Sequence, residues 1–90
     1  MADKVNKYDT AVKVISQRGS CAAGHKVGDE WVVGMHTPAG ICIAAFNSML
    51  ASIRTLRYNG MFPGEEPGRR TVACPDAANP AVFELRRISK

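Results

Sequence analysis

No apolar run in this 90-residue chain approaches the roughly 18 residues that a membrane-spanning helix needs, so a transmembrane reading is excluded. The opening residues, Met1-Ala2-Asp3-Lys4-Val5-Asn6-Lys7, lack the apolar stretch of a signal peptide, and a cytoplasmic location is the expectation. Aromatic residues are scarce, with one Trp, two Tyr and three Phe, and no basic stripe is interleaved with them. The net charge is only +4, and acids stand between several of the basic residues. The charge therefore reads as a solvated surface, and nucleic acid is not an expected partner. Cysteine is limited to three residues, an odd number with no C-x-x-C pair. Without an export signal this argues for reduced thiols, free or on a metal, and against a disulfide framework.

What the chain does have is enough apolar residue, 46%, and enough periodicity to fold. Residues 1–8 are polar and read as a flexible N-terminus, and residues 9–90 read as a single domain. A chain this short buries roughly 60–65% of its unfolded surface. Small domains of this kind often gain stability from a metal or from oligomerisation. Residues 10–16 alternate and are rich in β-branched side chains, which predicts a strand. Residues 17–29 carry Gly19, Gly24 and Gly28 and read as a long connection, and residues 30–35 form a second strand. Thr37-Pro38-Ala39-Gly40 introduces a helix over 41–58, because Phe46, Met49, Leu50, Ile53 and Leu56 recur at three- and four-residue steps. Asn59-Gly60 stops it, since both residues tolerate the left-handed conformation. Arg54 and Arg57 suit the negative end of the helix dipole. A Pro/Gly-punctuated loop follows, then strands over 71–74 and 81–88. The order β-β-α-β-β predicts an α+β domain, a mainly antiparallel sheet packed by one helix. One sheet face is left open, which makes a homo-oligomer the expectation.

Each cysteine sits at a joint between these segments. Cys21 opens Cys21-Ala22-Ala23-Gly24-His25-Lys26-Val27-Gly28-Asp29, Cys42 closes Pro38-Ala39-Gly40-Ile41-Cys42, and Cys74 lies in Ala73-Cys74-Pro75-Asp76. With Gly60-Met61-Phe62-Pro63, this motif set resembles a family of small bacterial and archaeal proteins of unknown function. Its members show C-x-x-G-[HK]-x-x-G-D, P-x-G-[LI]-C, a Gly-x-F-P turn and A-C-x-D in that order. The resemblance covers roughly residues 10–88. Where many members carry a second aromatic after the F-P, this chain has Gly64. The resemblance implies a single domain and directs attention to the cysteines, but it implies no reaction.

Three constellations follow from the residues. Cys21, His25, Cys42 and Cys74 form a candidate Cys₃His metal site, because thiolate and imidazole suit zinc and three thiolates suit an iron–sulfur cluster. Cys42 is expected at the helix N-terminus, where backbone N–H groups and the dipole suit a negatively charged sulfur. Free cysteines also commonly fill cores. In the second constellation one cysteine is a nucleophile, His25 or His36 its base, and Asp76 or Asp29 the group orienting that base. The third is an anion pocket at Lys26 and the Gly-flanked N–H groups, set against a plain turn in which Asp29 accepts backbone N–H groups and launches the Trp31 strand. Lys26, Asp29 and Asp76 are thus candidate ligand-binding residues. Arg69-Arg70 is a candidate docking point for an acidic protein partner, and Trp31, Phe46, Phe62 and Phe83 read as core aromatics. The function expected from these residues is a small binding or accessory protein whose Cys/His centre holds a metal or a small-molecule ligand. A small thiol or metal enzyme and an interaction module with core cysteines are the alternatives.

Overall fold

The computed structural model describes residues 7–88. Four strands and one helix appear among them, in the order β1 (Asp9–Gln17), β2 (Glu30–Val33), α1 (Ile43–Arg57), β3 (Arg69–Ala73) and β4 (Ala81–Ile88). The strands form one open sheet in the order β2-β1-β4-β3, and every pairing is antiparallel. This is the expected α+β domain. None of the helical segments described is long and apolar enough to cross a membrane. Residues 1–6 of the segment expected to be flexible lie outside the described residues. Tyr8 is tied down, its N–H donating to the Arg57 carbonyl at 2.8 Å.

Alternation in the two central strands decides which face is covered. Thr10, Val12 and Val14 of β1 and Ala81, Phe83 and Leu85 of β4 are buried on one face. Against them α1 packs Ala45, Met49, Ile53 and Leu56 at helical steps. Fully burying side chains such as Phe83, Met49, Leu56 and Leu85 contributes roughly 1.5–3 kcal/mol each. The helical stripe differs from expectation at one place: Ala45 is in the core, whereas Leu50 is exposed. Of the expected core aromatics, Phe83 is fully buried, while Trp31, Phe46 and Phe62 pack against the core from its edge.

The helix begins at Ile43 because Cys42 is still extended, with φ −60° and ψ 131°, while its carbonyl already accepts the Phe46 N–H at 2.9 Å. It stops as the Asn-Gly pair predicts. Asn59 takes a left-handed φ of 68°, its N–H reaches the Leu56 carbonyl at 3.2 Å, and the Gly60 N–H reaches the Thr55 carbonyl at 2.9 Å. A Cβ on Gly60 would lie 2.4 Å from Thr55 Cγ2, so glycine is required for this close approach.

The opposite face of the sheet is uncovered among the described residues. One side of it carries an ion-pair network in which Arg69 bonds Glu65 and Glu84 at 2.9 and 2.8 Å and Arg86 bonds Glu66 and Glu84 at 3.0 and 3.1 Å. Arg70 lies over the Phe62 ring at 4.5 Å. The Arg69-Arg70 pair is therefore engaged internally and is not a free basic patch.

Candidate functional site

Antiparallel pairing brings three connections to one end of the sheet. Gln17 pairs with Ala81, Ala73 with Val82 and Lys13 with Glu30, so the β1–β2 and β3–β4 connections leave from the same edge. The helix starts there as well, over the buried Ala81 and Phe83. Each connection carries one cysteine. Together they enclose a cavity of about 180 Å³ lined by Cys21, His25, Cys42, Cys74, Asp76 and Asn79, with Ala45, Ala81 and Phe83 among the residues beneath. The three cysteines, distant in sequence, thus share one cavity. All three are free thiols and partly exposed.

His25 is the anchor of this arrangement. It is buried, and its Nε2 accepts the backbone N–H of Cys42 at 2.9 Å. An N–H donating to Nε2 needs its lone pair, which places the ring proton on Nδ1. The ring also meets Trp31 edge-on at 5.0 Å between centroids and Phe83 at 6.2 Å. The helix has no side-chain cap and no acid in its first turn. One joint residue therefore ties the β1–β2 connection to the entry of α1.

Cys74 closes the β3–β4 hairpin. Its N–H donates to the Ala81 carbonyl at 2.9 Å, and its Sγ accepts the Ala81 N–H at 3.2 Å. Pro75 then ends the ladder. Asp76 lines the cavity, but its carboxylate is turned to the turn backbone, where Oδ1 accepts the Ala78 and Asn79 N–H groups at 3.1 and 3.2 Å. This is an Asx-turn.

Asn79 did not stand out in the sequence, yet it clasps two connections together. Its Oδ1 accepts the Ser20 N–H at 3.1 Å, and its carbonyl accepts from Gln17 Nε2 at 3.2 Å. Gly19 makes this contact feasible: it adopts φ +67°, and a Cβ there would sit 2.1 Å from Asn79 Oδ1. The signal in the sequence was a glycine just after a strand, whose partner is a turn about sixty residues away.

Lys26 and Asp29 lie outside the cavity and satisfy each other. The Lys26 N–H donates to Asp29 Oδ2 at 3.0 Å, and its ammonium lies 3.3 Å from Oδ1. The backbone N–H of Lys26, above all, holds the Asp29 carboxyl below the usual carboxylate range. The geometry is that of the turn launching β2, as Gly28 N–H to Val14 carbonyl at 2.9 Å also indicates. His36 is exposed on the far side, in a second groove.

Cys21, His25, Cys42 and Cys74 share a cavity without converging on a point. Among the described residues no three His, Cys, Asp or Glu side chains form a group able to hold a metal ion. Compared with known protein families, curated proteins and solved structures, the chain matches none of them.

Proposed function

We propose that this chain is a small binding or accessory protein whose Cys/His cavity holds a small ligand. The observation that carries the reading is the shared lining: three thiols from three separate connections and a buried histidine border one space of about 180 Å³. The cysteine motifs on which the family resemblance rests all border it. The space is smaller than the roughly 300–1,000 Å³ clefts that take drug-sized ligands. Its walls are thiol sulfur, alanine methyl groups and the Phe83 ring, so the ligand class is small, soft and largely uncharged.

A metal is the second form of the same proposal, favoured by the three thiols. The donors at hand for zinc or an iron–sulfur cluster are Cys21, Cys42, Cys74 and His25. Uptake then requires the thiols to close in and His25 either to release the Cys42 N–H or to bind through Nδ1. The binding reading stands ahead of thiol catalysis because His25 directs its one lone pair at a backbone N–H rather than at a cysteine sulfur. Self-association through the uncovered sheet face, where Ile15 and Val32 are exposed, belongs to the same proposal.

Native mass spectrometry on tag-free protein purified without oxygen tests this by weighing the assembly and its cargo together. The reading expects a stoichiometric extra mass that is lost in Cys21→Ser and Cys74→Ser. An apo mass in repeated preparations made without chelators, unchanged after incubation with zinc, sinks the metal form. A failure of neutral thiols and disulfide-free aromatic fragments to shift Phe83 and Ala45 resonances sinks the small-ligand form.

A further inference from the structure

A second groove, of about 260 Å³, runs between α1 and the segment that follows β2. Its lining is mixed: Val33, Phe46, Leu50 and Ile53 provide apolar surface, and Lys7, Arg54 and Arg57 bring three cations. Among the described residues Asp9 faces this cluster, its carboxylate oxygen 3.5 Å from Arg57 Nη1. Among the described residues, three cations against this one carboxylate leave a local surplus of two positive charges.

The carbonyls of the last turn do not depend on these arginines for hydrogen bonds. Arginines in a last helical turn ordinarily serve the unpaired carbonyls and the negative dipole end. Here those carbonyls have other donors. The Gly60 N–H takes Thr55 O at 2.9 Å, the Asn59 N–H and Arg87 Nε take Leu56 O at 3.2 and 2.8 Å, and the Tyr8 N–H takes Arg57 O at 2.8 Å. Arg87 Nη2 also donates to the Gly60 carbonyl. Arg54, whose guanidinium lies 5.7 Å from the centre of the Tyr58 ring, and Arg57 both line the groove. Arg57 is the more telling of the two: its side chain is only 8% exposed, and among the described residues its buried Nη1 meets the Asp9 carboxylate at 3.5 Å without forming a hydrogen bond. A guanidinium held nearly out of water and met by its carboxylate only at 3.5 Å is incompletely paired, and a further acceptor in the groove completes it.

We infer that this groove is a binding site for a small amphipathic anion, a carboxylate on a short apolar body. The carboxylate sits between Arg54 and Arg57, with Lys7 at the mouth, and the apolar body lies along Leu50, Phe46 and Ile53. Leu50 departs from the core stripe because it faces this groove, which accounts for an exposed leucine in an otherwise buried periodicity. The groove runs along α1 from Phe46 to Tyr58 and shares no lining residue with the cysteine cavity.

Titration of the full chain followed by ¹H–¹⁵N correlation spectra tests the inference, with four probes: octanoate, 1-octanol, octylammonium and inorganic phosphate. The expected result is saturable binding of octanoate, with the largest shifts at Gly34, Leu50, Arg54 and Arg57. The neutral alcohol should bind about tenfold more weakly, because it lacks the charge-assisted hydrogen bonds. Octylammonium and phosphate should not saturate. Arg54→Gln, at an exposed position, should weaken octanoate roughly three- to tenfold without altering the fold, and Lys7→Gln should do so by less. Equal affinity for octanoate and octanol, an unchanged affinity in Arg54→Gln, or octanoate shifts centred on the cysteine cavity would each overturn it. Shifts of these same resonances on raising the protein concentration without any probe would also overturn it, assigning the groove to a second copy of the chain.

Discussion

Replacing His25 separates the two jobs its ring performs. In His25→Leu the side-chain volume is largely kept, but the Cys42 N–H, which donates to Nε2 at 2.9 Å, loses its acceptor. A part-buried N–H left unsatisfied costs about 1–3 kcal/mol. The edge contacts with Trp31 and Phe83 are worth about 0.5–1.5 kcal/mol beyond their area. The expected loss is therefore about 2–3 kcal/mol, which for a domain of this size lowers Tm by roughly 10–20 °C. His25→Gln is the control, because its side-chain carbonyl reaches about where Nε2 lies and can still accept the N–H. It should lose only about 1 kcal/mol, for the missing ring. Equilibrium urea unfolding in reducing buffer, followed by circular dichroism, gives both values. The two variants should differ by about 1–2 kcal/mol in favour of glutamine. Indistinguishable stabilities would refute the reasoning, since they would show that the acceptor at the helix entry carries no free energy.

Two further expectations follow from other parts of the structure. Gly19→Ala should destabilise the domain by about 1–3 kcal/mol, from a left-handed backbone and the collision with Asn79 Oδ1; an unchanged urea midpoint would contradict the clasp. Acid unfolding should reflect Glu84, which Arg69 foremost holds below its ordinary value of 4.5, and Asp29, held below 3.8 by the Lys26 N–H. Both folded values are depressed, so their stabilisation is complete above the ordinary carboxylate range and is lost as pH falls through the folded values. Glu84→Gln should lower stability by about 1 kcal/mol at pH 7 and converge with the parent in acid. Parallel pH curves for the two would count against that assignment.

Much of the fold was legible because apolar periodicity is local. The last strand spans Ala81–Ile88 as read, and the Asn59-Gly60 stop takes the expected left-handed form. Departures arise where tertiary contacts set the boundary. β3 starts at Arg69 rather than Thr71, because Arg69 is drawn into the sheet by Glu84 and Arg70 by Phe62. β2 ends at Val33, where Gly34 gives way to the Asp9 carboxylate. Ala45 replaces Leu50 in the core because the sheet lies against a helix face turned slightly from the one the large residues mark.

The positions of the cysteines at joints left open whether they gather; an antiparallel sheet returns alternate connections to the same end, and the fold brings all three to one cavity. What no local pattern could supply was how side chains are used once gathered. His25 reads equally well as a ligand, a base or a turn residue, and only the fold shows its Nε2 engaged by the Cys42 N–H. Lys26 and Asp29 read as a ligand pocket or a turn, and mutual pairing selects the turn. Asn79 and the groove beside Arg57 depend on contacts between segments far apart in sequence.

The central claim, that Cys21, Cys42 and Cys74 border one small cavity, is tested most directly by alkylation with N-ethylmaleimide, resolved by mass spectrometry over time. In a shared space of about 180 Å³ the first adduct occupies the room the next would need. The account predicts that native protein accumulates as a singly modified species, with second and third additions at least about tenfold slower until urea is added. Three independent additions at unrelated rates, each unaffected by the others, would contradict it.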